Sequence, residues 1–166
     1  MRPVVLEGPD NSGKSTLANK IALVRGSIIV SSEGREKFKG EINERVKRYH
    51  DTYSGKNVVF DRHPAVSQGM YAILNPNTPV DYDLAKQFYD MNPLFIYCRP
   101  DVEKGMEGHV ADKPGDTPEY LSLVSENFKP LTAAYDLWAL KKAHIIYRIG
   151  DDVDQLINLI NGAIPV

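Results

Sequence analysis

Gly8-Pro9-Asp10-Asn11-Ser12-Gly13-Lys14-Ser15 is the stretch that decides how this chain reads. Two glycines enclose four residues and are followed directly by Lys and Ser, the spacing with which a loop wraps a phosphate in backbone N–H groups. Such a loop must leave a strand and enter a helix. Val4-Val5-Leu6 supplies an apolar strand before it, and Leu17, Ile21 and Val24 recur at helical spacing after it. The N–H groups of Asn11, Ser12, Gly13, Lys14, Ser15 and Thr16 are therefore the candidate phosphate ligands. The Lys14 ammonium would reach the outer phosphates and the Ser15 hydroxyl would sit on Mg2+. A glycine-rich turn that merely caps a helix is the plain alternative, and the strand, loop and helix taken together weigh against it.

Outward from the loop, short apolar runs alternate with helical segments, the pattern of a parallel sheet covered by helices on both faces. Ile28 to Val30, Val58 to Phe60, Leu94 to Cys98 and His144 to Ile149 read as four further strands. Phe38, Ile42, Val46 and Tyr49 mark a second helix, whose pairs Glu41/Arg45 and Glu44/Arg48 read as a solvated face. Pro64 suits the first turn of the next helix, and Asp81 to Asp90 is a short one. Leu121, Val124, Phe128, Leu131, Tyr135 and Trp138 mark one long core helix with a kink at Pro130. Asp151 or Asp152 caps the last helix, which carries Val153, Leu156, Ile157 and Ile160. Residues 105–118, rich in glycine, proline and charge, are the lid candidate. No linker or repeat interrupts the series, so the expectation is one domain over residues 1–166.

Composition excludes several classes. Twenty Lys plus Arg against 22 Asp plus Glu give a net charge of −2, which offers no basic surface for stable nucleic-acid binding. No apolar run approaches the roughly 18 residues of a membrane helix. Val4 to Leu6 ends at Glu7, too short for a signal-peptide core, so a cytoplasmic protein is expected. Cys98 is the one cysteine, which rules out an internal disulfide.

Glu7-Gly8-Pro9-Asp10-Asn11-Ser12-Gly13-Lys14-Ser15-Thr16 is similar to the E-G-x-D-x-x-G-K-S-T loop of thymidylate kinases, and Phe60-Asp61-Arg62-His63 resembles their D-R-[YH] motif. The resemblance implies a three-layer α/β P-loop kinase fold with five parallel strands in the order 2-3-1-4-5, and ATP and Mg2+ as donor and cofactor. It implies an acceptor that is a deoxynucleoside monophosphate, dTMP or a close analogue. Asp10 would hold the sugar 3′-hydroxyl, Arg62 the acceptor phosphate, and Asp61 would lie near the metal and the transferring phosphoryl. A homodimer is implied by the family only. From the residues themselves, Lys14, Mg2+ and Arg62 are three cations of the kind that phosphoryl transfer between anions needs. Asp61 has an ordinary reading as a helix cap, and Arg62 as a surface ion pair.

The chain departs from the family in places. Asn11 stands in the loop and no arginine lies between Met106 and Pro118, so Lys104, Lys113 or His109 must stand in. The stretch after D-R-H is only echoed by Ser67, Gly69 and Tyr71. Its form looks like the small kinases of bacteriophages, which raises a hydroxymethylated pyrimidine nucleotide as acceptor. Arg35 is a candidate acceptor-phosphate ligand or equally a solvated helix-start residue, and Tyr147-Arg148 are candidates to flank adenine. His63 reads as positional. Two other classes stay open: a deoxynucleoside or base-hydroxyl kinase with Glu33 as its carboxylate base, and a nucleotide-binding switch, against which Asp10 and the Asp61-Arg62 pair count.

Overall fold

The computed structural model describes residues 1–106 and 115–164. Five strands and eight helices follow in the order β1 (Val4–Glu7), α1 (Lys14–Arg25), β2 (Ile28–Ser31), α2 (Glu41–Tyr53), β3 (Val58–Asp61), α3 (Pro64–Tyr71), α4 (Tyr82–Asp90), β4 (Leu94–Cys98), α5 (Val102–Gly105), α6 (Pro118–Glu126), α7 (Phe128–Lys142), β5 (Ile145–Tyr147) and α8 (Val153–Ala163). All strand pairs are parallel, and the sheet order is 2-3-1-4-5, as expected.

Alternation along the central strands explains the layers. Val4, Leu6, Leu94, Ile96 and Cys98 pack with Leu17 and Ile21 of α1 and Leu156, Ile157 and Ile160 of α8. Val5, Phe60 and Phe95 face the other way, onto Tyr49 of α2, Val66 of α3 and Phe88 of α4. Tyr97 extends that second layer onto Leu131, Tyr135 and Ala139 of α7. Because β1 is flanked by β3 and β4, the carboxyl ends of three strands converge, which is where open parallel sheets place ligands.

Several expectations need correction. The long helix is two, separated at Asn127, whose backbone leaves the helical region at φ −106 and ψ 17. Pro130 then falls in the first turn of α7, where its missing N–H costs nothing, so it produces no kink. Helix α2 starts after Gly40 and leaves Phe38 outside and exposed. Val24 is exposed, and Arg25 is the buried residue at that end of α1, donating to Asn161 and to the Ile164 carbonyl. Of the segment proposed as a lid, residues 107–114, with His109 and Lys113, lie outside the described residues.

The second helix is corrected most. Glu41 and Arg45 are buried, not solvated: Arg45 Nη2 lies 2.6 Å from Glu41 Oε2, and its Nη1 and Nη2 also donate to the carbonyls of Gly34 and Arg35. Arg48 pairs with Glu33 rather than Glu44. His63 is positional, as expected. It is buried, its ring stacks on Phe88 with centroids 3.7 Å apart, and its Nδ1 accepts the Ala65 N–H as the cap of α3.

Two predictions follow from these buried groups. Arg45→Leu strands a buried carboxylate and is expected to cost about 3–5 kcal/mol in a urea unfolding series, whereas Arg45→Leu combined with Glu41→Leu should recover much of that loss. Additive losses would show that the two side chains do not act as a pair. Burial, with His50 nearby, holds the His63 imidazole down to about 3 from its ordinary 6.5. The unfolded chain therefore takes up a proton that the folded chain refuses, and stability falls as pH drops from 6.5 toward 3, on the order of 5 kcal/mol in full. His63→Asn keeps a cap acceptor without titrating, so its stability should depend less on pH across that window; a parallel profile would contradict this account.

Candidate active site

A cavity of about 490 Å³ opens at the carboxyl ends of the strands, with the phosphate loop from Asp10 to Thr16 along one side. The loop is held against its neighbours by close approach. A Cβ on Gly8, at φ 147, would lie 2.3 Å from the Cys98 carbonyl oxygen, and one on Gly13, at φ 78, would lie 2.9 Å from Ile149 Cγ1. Only glycine fits either position. Asn11 takes a left-handed φ of 57, and its Nδ2 donates to the Gly105 carbonyl.

Lys14 is the first residue of α1 and only 6% exposed. Its ammonium donates to the Pro9 carbonyl at 2.6 Å and to Ser12 Oγ at 3.1 Å. Burial and the neighbouring Arg62 lower its pKa to about 8. An anion brought to this ammonium favours its charged form.

Ser15 Oγ donates to Asp61 Oδ2 at 2.5 Å, joining the start of α1 to the end of β3. Asp61 is therefore not the cap of α3, which is His63. A hydroxyl and a carboxylate side by side are the hard oxygen donors that would suit Mg2+. Among the described residues no group of three or more His, Cys, Asp or Glu side chains could hold a metal by itself. The pair fits a metal carried in with phosphates.

Arg62 is no surface ion pair. It is 6% exposed and left-handed at φ 64. Nε donates to the Gly8 carbonyl at 3.1 Å, and Nη2 donates to Asp10 Oδ1 at 3.0 Å and to the Tyr71 hydroxyl at 2.6 Å. The Tyr71 hydroxyl donates in turn to Asp10 Oδ2 at 3.0 Å. Asp10 thus has both oxygens oriented, and Nη1 of Arg62 donates to no described residue.

Arg35 lines the cavity from the loop after β2. Its guanidinium lies 4.0 Å from the centre of the Tyr120 ring and donates to the Gly115 carbonyl, while its buried Nε has no hydrogen-bond partner among the described residues. Glu36, also on the cavity wall, accepts the N–H groups of Thr78 and Gly40; burial works to raise its pKa, but these bonds outweigh it and hold the carboxyl below its usual value.

Other candidates fall elsewhere. Glu33 does not line this cavity; its carboxylate takes Arg48 and the Tyr49 hydroxyl, which overcome the effect of burial and hold it below the usual range. Lys104 is exposed on α5 and lines no part of the cavity. Tyr147 is buried as packing beneath Gly13, and Arg148 is exposed with its N–H on Asp151. Sequence reasoning did not single out Gln68 and Tyr120 on the cavity wall, and valued Tyr71 only as a motif echo. A tyrosine nine residues beyond the arginine, about two helical turns along α3, was the available signal.

No protein-family model matches the chain, and no curated protein matches it. Solved structures do. The YorR protein of Bacillus subtilis, in complex with phosphorylated GDP, is 19% identical over 98% of this chain and 95% of its own, with a TM-score of 0.70. Deoxyadenosine kinase from M. mycoides with bound dATP is 17% identical over the whole of both chains, at 0.62. Shikimate kinase from Acinetobacter baumannii in complex with shikimate is 16% identical over 100% of this chain and 96% of its own, at 0.51. At these identities the likeness is one of fold: the chain has the five-stranded α/β fold of the P-loop small-molecule kinases.

Proposed function

We propose that the protein transfers a phosphoryl group from ATP, with Mg2+, to a deoxynucleoside monophosphate, dTMP or a close pyrimidine analogue that includes hydroxymethylated forms. One observation carries the reading: a single cavity is lined by the phosphate loop, by the oriented Asp10 carboxylate and by two arginines, Arg62, which bonds Asp10, and Arg35, whose buried Nε has no hydrogen-bond partner among the described residues. Two arginines suit an acceptor that is already an anion. A phosphate monoester is largely dianionic at neutral pH, since its second pKa is near 6, so its oxygen attacks without a base.

In this reading the loop N–H groups and Lys14 take the donor's phosphates, and Ser15 and Asp61 hold the metal. Mg2+, when bound, neutralises charge on the phosphates and fixes their geometry. Arg62 and Arg35 draw the acceptor phosphate into line, and Asp10, whose charge repels phosphate, is turned to a sugar hydroxyl instead. An alcohol acceptor would require a carboxylate base. Glu33 is outside the cavity, and Glu36 is committed to two backbone N–H groups, which makes it a weak one.

Turnover with ATP and Mg2+ across nucleosides, monophosphates and hydroxymethyl analogues tests the reading. Monophosphates are expected to be the acceptors; phosphorylation of nucleosides instead would replace it with the nucleoside-kinase reading. Lys14→Ala should lose about 2–4 kcal/mol of transition-state stabilisation in a folded protein. Asp10→Ala should weaken the acceptor by about 1–3 kcal/mol, leave the ATP KM nearly unchanged, and erase the preference of the wild type for a 3′-hydroxyl over a 3′-deoxy acceptor. Equal discrimination by both proteins would remove Asp10 from the sugar site.

A further inference from the structure

We infer that Glu7 is a positioning residue whose buried carboxylate holds the turn that aims Arg62 into the cavity. The inference rests on reading Arg62 as the acceptor ligand. Arg62 occupies the left-handed region at φ 64, a conformation that a long side chain adopts only when its surroundings over-determine it. The β1–β3 register ends at Leu6 opposite Asp61, and the Arg62 N–H still reaches the Leu6 carbonyl at 2.9 Å. The next N–H has turned away from the strand. It belongs to His63, and Glu7 Oε1 accepts it at 2.7 Å. A side-chain oxygen thus continues the ladder one step beyond the point where backbone geometry can.

The carboxylate itself cannot swing. Its other oxygen accepts the Tyr135 hydroxyl from α7 at 3.1 Å, and the residue is 0% exposed. On the far side of the turn, His63 is stacked on Phe88 and bonded to the Ala65 N–H. With the residues before and after it fixed, Arg62 has one course, which sets Nε on the Gly8 carbonyl and Nη2 on Asp10. An apolar side chain would fill the same space without the cost of burying a carboxylate. Packing alone does not explain Glu7.

The test separates aim from stability. Glu7→Gln retains an oxygen for the His63 N–H and should keep the acceptor KM within about threefold of wild type. Glu7→Met removes that oxygen and should raise the acceptor KM roughly 10- to 100-fold while the ATP KM stays within about threefold. In a crystal structure of Glu7→Met, Arg62 should leave the left-handed region and its Nε should leave the Gly8 carbonyl. A folded Glu7→Met protein with wild-type acceptor KM, equal losses for ATP and acceptor, or an Arg62 that stays left-handed each overturns the inference. Should Glu7→Met fail to fold, Glu7→Asp, one methylene too short to reach His63, carries the same expectations and the same refutations. If the wild type phosphorylates no monophosphate, the proposed function fails, while the Arg62 conformation in the variant structure still decides the role of Glu7.

Discussion

The close approach of Gly8 to the Cys98 carbonyl is the contact on which the rest of the site depends. With no Cβ in the way, the chain leaving β1 lies directly against the end of β4, and Gly13 closes the same loop against Tyr147 at the end of β5 and Ile149 just beyond it. The loop is therefore clamped by two strands that follow it in the sequence. That clamp sets where α1 begins, and so puts Lys14 beneath the loop and Ser15 beside Asp61. A methyl group at Gly8 would strain all of these together, because the chain from Gly8 to Ser15 is also tied at Gly13 and at Asp61.

Charge in the site is arranged around desolvation. Lys14 and Arg62 are buried close enough to lower the ammonium's affinity for its proton, an arrangement that repels unless anions accompany it. The carboxyl groups of Glu7, Asp10 and Asp61 stand beside them at three levels. Glu7 lies deepest, and burial pushes its carboxyl up to about 7 although the His63 N–H, Arg62, Tyr135 and Lys14 all pull it down. Asp10 lies at the cavity wall and Asp61 between. Phosphates entering above Lys14 would meet cations whose partners are mostly neutral carbonyls and hydroxyls, and such partners screen little of the field.

How much of this was legible in the sequence follows from how far apart the participants lie along the chain. The phosphate loop spans eight consecutive residues bracketed by a strand and a helix, so spacing alone identifies it, and the sheet order came with the resemblance built on it. Asp61-Arg62 at the end of β3 was readable for the same reason. Glu41 and Arg45 were misread because an i,i+4 pair looks the same whether it faces solvent or a neighbouring loop; only the path of residues 34–35 over α2 decides. The break at Asn127 was hidden because the apolar spacing runs through it without losing step, so the core face of α6 continues into α7.

The end of the cavity proposed for the acceptor was legible least, and its construction explains why. Its walls come from the loop after β2 with Arg35 and Glu36, from α3 and the loop beyond it with Gln68 and Tyr71, and from α6 with Tyr120. No two of these walls are neighbours in the sequence, and the parts that join them are single contacts such as Arg35 on Tyr120 or Tyr71 on Asp10. The phosphate end, by contrast, is held by backbone geometry that tolerates almost no change. Tyr71 is the wall residue that touches the phosphate loop, through Asp10, whereas Arg35, Glu36, Gln68 and Tyr120 stand on elements apart from it. The sheet and the phosphate loop are therefore fixed by backbone geometry, and the identity of what enters the cavity is left to side chains that the fold only brings together.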